Sequence, residues 1–161
     1  MNIWLYRNWE MLIDIDMPKH RTGLRFRFEK NVDPSVKSSI LEFAKWLRHY
    51  YFFPIRVPVY IKASATIRAL DGDLVSATFF EPFDRTVEPY IRVATGDYEE
   101  LVQEVGKEAA HFVILETIAH ELTHYFQWIN NVQLTEIGYE RQASRHAHAI
   151  VLEYISKSHL N

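Results

Sequence analysis

The amino-acid sequence predicts an α+β fold, in which a mixed, mostly antiparallel sheet packs on helices. Residues 1–96 contain several strand-like runs and one helix-like segment at 33–51, whereas residues 97–157 follow helical periodicity almost throughout. The 161 residues are 48% hydrophobic and 14% aromatic, which is enough apolar material for one core. Because no repeat or linker-like run interrupts the chain, we expect residues 1–161 to form a single domain.

Short apolar-rich runs predict the strands. In Gly23–Glu29, apolar and charged residues alternate, as expected of a strand with one buried face. The other runs are Ile3–Arg7, Met11–Met17, Val57–Ala63, Leu74–Glu81 and Pro89–Ala94. Met11–Met17 and Gly23–Glu29 are separated by turn residues, which predicts a hairpin. Proline fits strand ends and sheet edges better than strand centres. Pro58 therefore predicts that it lies at the end of the strand Val57–Ala63, or that this strand lies at an edge of the sheet.

Capping signals predict the helices. Asp33 is a favourable N-cap and Pro34 a favourable first residue, so a helix is expected over 33–51. Three further helices are expected over Asp97–Val105, over Glu108–Ile129, and from Glu136, with Thr135 as its cap, to about Ser156.

Charge and composition argue against several function classes. The formal net charge is −3 and no basic stripe is present, which argues against a nucleic-acid partner. The absence of cysteine excludes disulfides, thiolate-bound zinc and a cysteine nucleophile. No run approaches 18 apolar residues, and charged residues interrupt the opening segment, unlike a signal peptide. We therefore expect no membrane partner and a cytoplasmic location.

The main chemical motif is His120-Glu121-Leu122-Thr123-His124, an H-E-x-x-H string inside the predicted helix Glu108–Ile129. Residues four apart share a helix face, so His120 and His124 can direct both imidazoles at one metal ion. Glu121 lies about 100° further round the helix. Its carboxylate can therefore reach a water held by that metal and act as a general base.

A catalytic zinc site usually has three protein ligands and one open position, so a third ligand is expected. The pattern H-E-x-x-H-x-x-G-x-x-H does not continue here, which leaves the following helix as the source. Glu140 is the preferred candidate because small residues on its face allow close helix approach. Glu136, His146 and His148 remain alternatives on the same helix.

These residues resemble the zinc metallopeptidases of the gluzincin type, in which H-E-x-x-H on one helix precedes a Glu in an E-x-x-A context on the next. Glu140-Arg141-Gln142-Ala143 matches that context. The resemblance implies a minimal zincin-like domain with Zn²⁺ held by His120, His124 and Glu140, and Glu121 as general base. In such sites a Tyr often stabilises the oxyanion, and Tyr139 and Tyr125 are the candidates, with Tyr139 preferred.

The resemblance also implies an activity, a zinc-dependent peptidase and more specifically an endopeptidase. A peptide or protein substrate is expected to bind as an added strand along a sheet edge, either Leu74–Glu81 or Pro89–Ala94. Two alternatives stay open. One is a non-catalytic zinc-binding or interaction module on a zincin-like scaffold, motivated by the lack of a further subdomain after the glutamate helix. The other is a regulatory protease specific for one partner.

Overall fold

The structure, a computed structural model, describes residues 2–13 and 21–158. Two 3₁₀ turns, Ile3–Leu5 and Asn8–Met11, open the described chain. The strands are β1 (Leu24–Phe28), β2 (Val57–Lys62), β3 (Ile67–Arg68), β4 (Leu74–Val75), β5 (Ala77–Phe80) and β6 (Tyr90–Ala94). The helices are α1 (Pro34–Tyr50), α2 (Tyr98–Val105), α3 (Lys107–Ile129) and α4 (Glu136–Ser158). These elements confirm the predicted α+β class.

The main sheet has the strand order β1-β2-β6-β5, and β3 and β4 form a separate antiparallel pair. The β1–β2 and β2–β6 pairings are parallel, and β5–β6 is antiparallel. A mixed sheet was therefore the correct prediction, but a mostly antiparallel main sheet was wrong. The physical reason for the parallel β1–β2 pairing is α1, which lies between these two strands in the chain. The helix carries the chain back along the sheet, so β2 starts at the same end as β1 and runs in the same direction.

Pro58 is the second residue of β2, so it lies near a strand end as predicted, although β2 is a central strand and not an edge of the sheet. Val57 donates its N–H to the Gly23 carbonyl on the β1 side. The next residue, Pro58, would direct its N–H to the β6 side, where pairing begins at Val59 opposite Ile91. The missing proline N–H therefore costs no hydrogen bond of the sheet.

The N-terminal run Ile3–Arg7, predicted as a strand, instead begins with the 3₁₀ turn Ile3–Leu5. The Asn2 side chain accepts a hydrogen bond from the Trp4 N–H, which closes the turn locally. The run Met11–Met17 begins in the second turn, and its residues 14–17 lie outside the described part of the chain. The hairpin predicted from this run also falls on undescribed residues.

Helix boundaries follow the capping signals closely. Asp33 accepts from the Ser35 N–H at the start of α1, and Gly106, at φ 87°, separates α2 from α3. Thr135 accepts from the Gly138 N–H at 3.0 Å and caps α4 as predicted. Among the described helices, none combines the length and apolar character needed to cross a membrane.

The core lies between the sheet and the helices. It includes alternating sheet residues that are fully or almost fully buried: Val57, Val59, Ile61, Ile91 and Val93. From the helices, Ile118 and Leu122 of α3 and Ile150 of α4 join the same cluster. The buried side of α3 is thus fixed against the core, which leaves its other side free to carry polar groups.

Candidate metal centre

His120 and His124 lie one turn apart on α3 and direct their rings to the same point. Their Nε2 atoms are 3.2 Å apart, and their side chains are about one-fifth exposed. Ile118, Ala119 and Leu122, which flank them in sequence, are fully buried and hold this stretch of α3 against the core. The apolar periodicity of α3 therefore determines which way both rings point.

Glu140 on α4 brings a carboxylate to the same point. Its Oε2 lies 3.0 Å from His120 Nε2, and its Oε1 lies 3.0 Å from His124 Nε2. Ala143 and Ala147, one and two turns further along α4, are completely buried. These small side chains allow α4 to approach α3 closely, which is the physical reason that a glutamate on one helix reaches histidines on the other.

The three side chains form a possible metal-binding site, since their ligand atoms all lie within 4.8 Å of one another. Ligands at about 2.0–2.1 Å from a tetrahedral metal are separated from each other by about 3.3–3.4 Å. The observed separations of 3.0 and 3.2 Å are close to that value. Two imidazoles and one carboxylate are also a donor set that suits divalent zinc. The residues present therefore fit a metal ion.

Glu121 follows His120 and lies beside the cluster with a side chain that is 9% exposed. It accepts no hydrogen bond from another described residue. Burial, and secondarily the Glu140 carboxylate, raises the pKa of Glu121 to about 8. Without a metal ion, burial therefore favours the protonated form of this carboxyl, because no side chain among the described residues donates a hydrogen bond to it.

His120 is shifted toward its neutral form. Burial, and then the charge that His124 can carry, lowers the pKa of His120, while Glu140 opposes this shift. A neutral imidazole is the form that binds metal. The close contact between His120 and Glu140 is thus better described as two potential ligands in contact than as an ion pair.

A cleft of about 730 Å³ opens in front of the cluster and contains His120, Glu121, His124 and Glu140 in its lining. On one side it is bordered by Ala77, Thr78 and Phe79 of β5. This strand occupies the end of the sheet order, so the edge strand beside the cleft is β5. The other strand considered, β6, is paired on both sides.

Within the described residues, the alternative ligands lie away from the cluster of three. Glu136 lines the cleft but is not part of the group within ligand distance. His146 accepts from the Ile3 N–H, and His148 contacts Glu116 at 3.4 Å. Both histidines therefore have partners other than the cluster, on the N-terminal 3₁₀ turn and on α3.

The two tyrosine candidates have different surroundings. Tyr125 is fully buried, and its hydroxyl is bonded to both the N–H and the carbonyl of Ile55. It lies in the core rather than in the cleft. Tyr139 lines the cleft, and its hydroxyl donates to the Val132 carbonyl at 2.7 Å.

Sequence reasoning did not identify the partners of the outer ring nitrogens. His124 Nδ1 lies 2.7 Å from Gln127 Oε1, and His120 Nδ1 lies 3.4 Å from Ser144 Oγ. Gln127 is 4% exposed although it is polar, and it lies three residues after His124 on the same face of α3. Its position one turn after a proposed ligand was the available signal.

Comparisons with protein-family models, with curated proteins and with solved structures give no match for this chain. The functional interpretation therefore depends on the geometry and chemistry of the site itself.

Proposed function

We propose that this protein is a zinc-dependent peptidase of gluzincin type with a minimal zincin-like domain. The observation that carries the proposal is the convergence of His120, His124 and Glu140 at 3.0–3.2 Å beside the buried carboxyl of Glu121. Three protein ligands would leave a fourth position of a bound zinc ion open, which is typical of catalytic rather than structural zinc sites.

His120, His124 and Glu140 hold the metal in this proposal. Zinc bound there would lower the pKa of a water molecule to about 7 and polarise a peptide carbonyl. The positive charge of a zinc ion at this site would favour the ionised form of Glu121, which would oppose the effect of burial on its pKa. Glu121 would then be a carboxylate that is able to accept a proton.

Glu121 acts as the general base and then as the general acid. It removes a proton from water as the water oxygen forms a bond to the peptide carbon. It then delivers that proton to the amide nitrogen as the carbon–nitrogen bond breaks, which gives a carboxylic acid and an amine. Tyr139 is the candidate for stabilising the oxyanion, and this role requires its hydroxyl to leave the Val132 carbonyl.

The edge of β5 is the proposed substrate-binding element. Ala94 donates its N–H to the Ser76 carbonyl, so hydrogen bonds to β6 involve residue 76 and alternate residues along the strand. The N–H and C=O groups of Ala77 and Phe79 therefore point to the open edge. An extended peptide pairing there would lie along the same cleft that contains the metal ligands.

The proposal is tested by peptide hydrolysis with zinc-loaded wild-type protein and the Glu121→Gln variant. We expect cleavage of an unbiased peptide library by the wild type and a reduction of roughly 10²–10⁴-fold in the variant. Glu116→Gln is a matched control, because Glu116 lies on the same helix one turn before His120. If all three proteins bind zinc but none of them, including the wild type, cleaves peptide, the proposal would be contradicted and the non-catalytic module favoured.

A further inference from the structure

Gln127 connects the two helices that carry the proposed ligands. Its side-chain amide nitrogen donates to the Tyr139 carbonyl at 3.1 Å and to Gln142 Oε1 at 2.9 Å. Tyr139 and Gln142 lie on either side of Glu140 on α4. The same amide therefore contacts the His124 ring on α3 and the turn of α4 that presents Glu140.

The orientation of this amide follows from its partners. A backbone carbonyl only accepts hydrogen bonds, so the group that faces Tyr139 O must be the NH₂ of Gln127. The Gln127 oxygen consequently faces His124 Nδ1 at 2.7 Å. Since this oxygen is an acceptor, Nδ1 must carry the proton of the neutral ring. The lone pair of His124 is then on Nε2, which faces His120 and Glu140.

We infer that Gln127 is a positioning residue for the metal site, which fixes the tautomer and ring orientation of His124 while holding the Glu140 turn against it. This inference rests on the metal site of the proposed function. It assigns a role to a residue outside the ligand set and outside the H-E-x-x-H string. Because Gln127 is almost fully buried, its hydrogen bonds have little competition from water.

A positioning role for Gln127 predicts that loss of its amide weakens metal binding. Hydrogen-bond partners of ligand histidines typically contribute 10–100-fold to metal affinity. Gln127→Met keeps the shape of the side chain but removes both the acceptor and the donors. We expect zinc to bind this variant roughly 10–100-fold more weakly than the wild type. Gln133→Met is the matched control, since Gln133 lines the cleft but its amide bonds to Asn131, and we expect unchanged affinity.

The experiment combines zinc titration of these proteins with ¹⁵N NMR of the histidine rings in zinc-free wild type. NMR is expected to find the His124 proton on Nδ1, and this tautomer preference is expected to weaken in Gln127→Met. Equal zinc affinity in Gln127→Met and wild type, or a wild-type proton on Nε2, would overturn the inference. The wild-type NMR result decides it even if Gln127→Met does not fold. A wild type that binds no zinc would instead contradict the proposed function.

Discussion

His120 Nε2 and His124 Nε2 lie 3.2 Å apart, and each is also 3.0 Å from an oxygen of Glu140. When both rings carry their proton on Nδ1, the atoms that face one another are all acceptors. Such an arrangement is electrostatically unfavourable until a cation binds between them. With these tautomers, the metal-free protein has its binding groups already assembled at the expense of some stability.

Zinc should consequently stabilise the folded protein. At a free zinc concentration of about 100 times the dissociation constant, the expected gain is about 2.7 kcal/mol. For a chain of this size, that corresponds to a rise in melting temperature of roughly 5–10 °C. Calorimetry with zinc and then with excess chelator measures this change. Glu140→Gln should lose most of the effect, and an undiminished effect would remove Glu140 from the ligand set.

Glu121 predicts a pH dependence of stability in the metal-free protein. The pKa of Glu121 is about 8 in the folded protein, compared with the ordinary value of 4.5 expected in the unfolded chain. Between these two pH values, the folded protein therefore holds a proton that the unfolded chain has released. The free energy of unfolding therefore falls as pH rises through this window. Glu121→Gln has no such proton, so its stability relative to wild type should increase toward pH 8, by on the order of a few kcal/mol.

Urea denaturation in the presence of a chelator measures this difference at pH 5 and pH 8. Burial lowers the pKa of His120, but this residue is present in both proteins, so its contribution largely cancels in the comparison. A difference that does not change with pH would show that the carboxyl of Glu121 is hydrated and ordinary.

The β5 edge predicts an effect of Ala77→Pro on peptide cleavage. Proline removes the N–H that points to the open edge but leaves the pairing with β6 intact. The expected loss is one hydrogen bond to the substrate, which corresponds to roughly a tenfold lower kcat/KM with little change in melting temperature. Thr78→Pro should instead destabilise the protein, because residue 78 bonds toward β6. Unchanged kcat/KM in Ala77→Pro would exclude substrate pairing at this edge.

Tyr139 gives a prediction that separates catalysis from stability. If its hydroxyl stabilises the oxyanion, Tyr139→Phe should lower kcat by roughly 10²–10³-fold with little change in KM. The same change also removes the hydrogen bond to the Val132 carbonyl, at a cost of about 1 kcal/mol. Steady-state kinetics and urea denaturation distinguish the two effects. Lower stability with unchanged kcat would assign the hydroxyl to Val132 alone.

Local signals predicted the helices well, because caps and apolar periodicity act over a few residues. Asp33 and Thr135 each lie at the boundary that they indicated. The same logic led from H-E-x-x-H to Glu140, since small residues such as Ala143 indicate where two helices approach closely. These predictions needed no knowledge of distant contacts.

Strand direction could not be read in this way. Alternation identifies a strand such as β1 but does not say which neighbour it pairs with or in which sense, so the parallel pairings were missed. Gln127 was overlooked for a related reason. Its contact with His124 lies within α3, but its hydrogen bond to the Tyr139 carbonyl depends on how α3 and α4 are placed, and helix spacing alone does not specify that placement.

Metal binding by His120, His124 and Glu140 is tested most directly by the zinc content of the protein after dialysis against zinc and removal of free metal. We expect one zinc per chain in wild type and in His148→Ala, which removes a histidine outside the cluster. We expect loss of bound zinc in His120→Ala and His124→Ala. A wild type without zinc, or His120→Ala and His124→Ala variants that retain zinc at wild-type affinity, would contradict the assignment of this site.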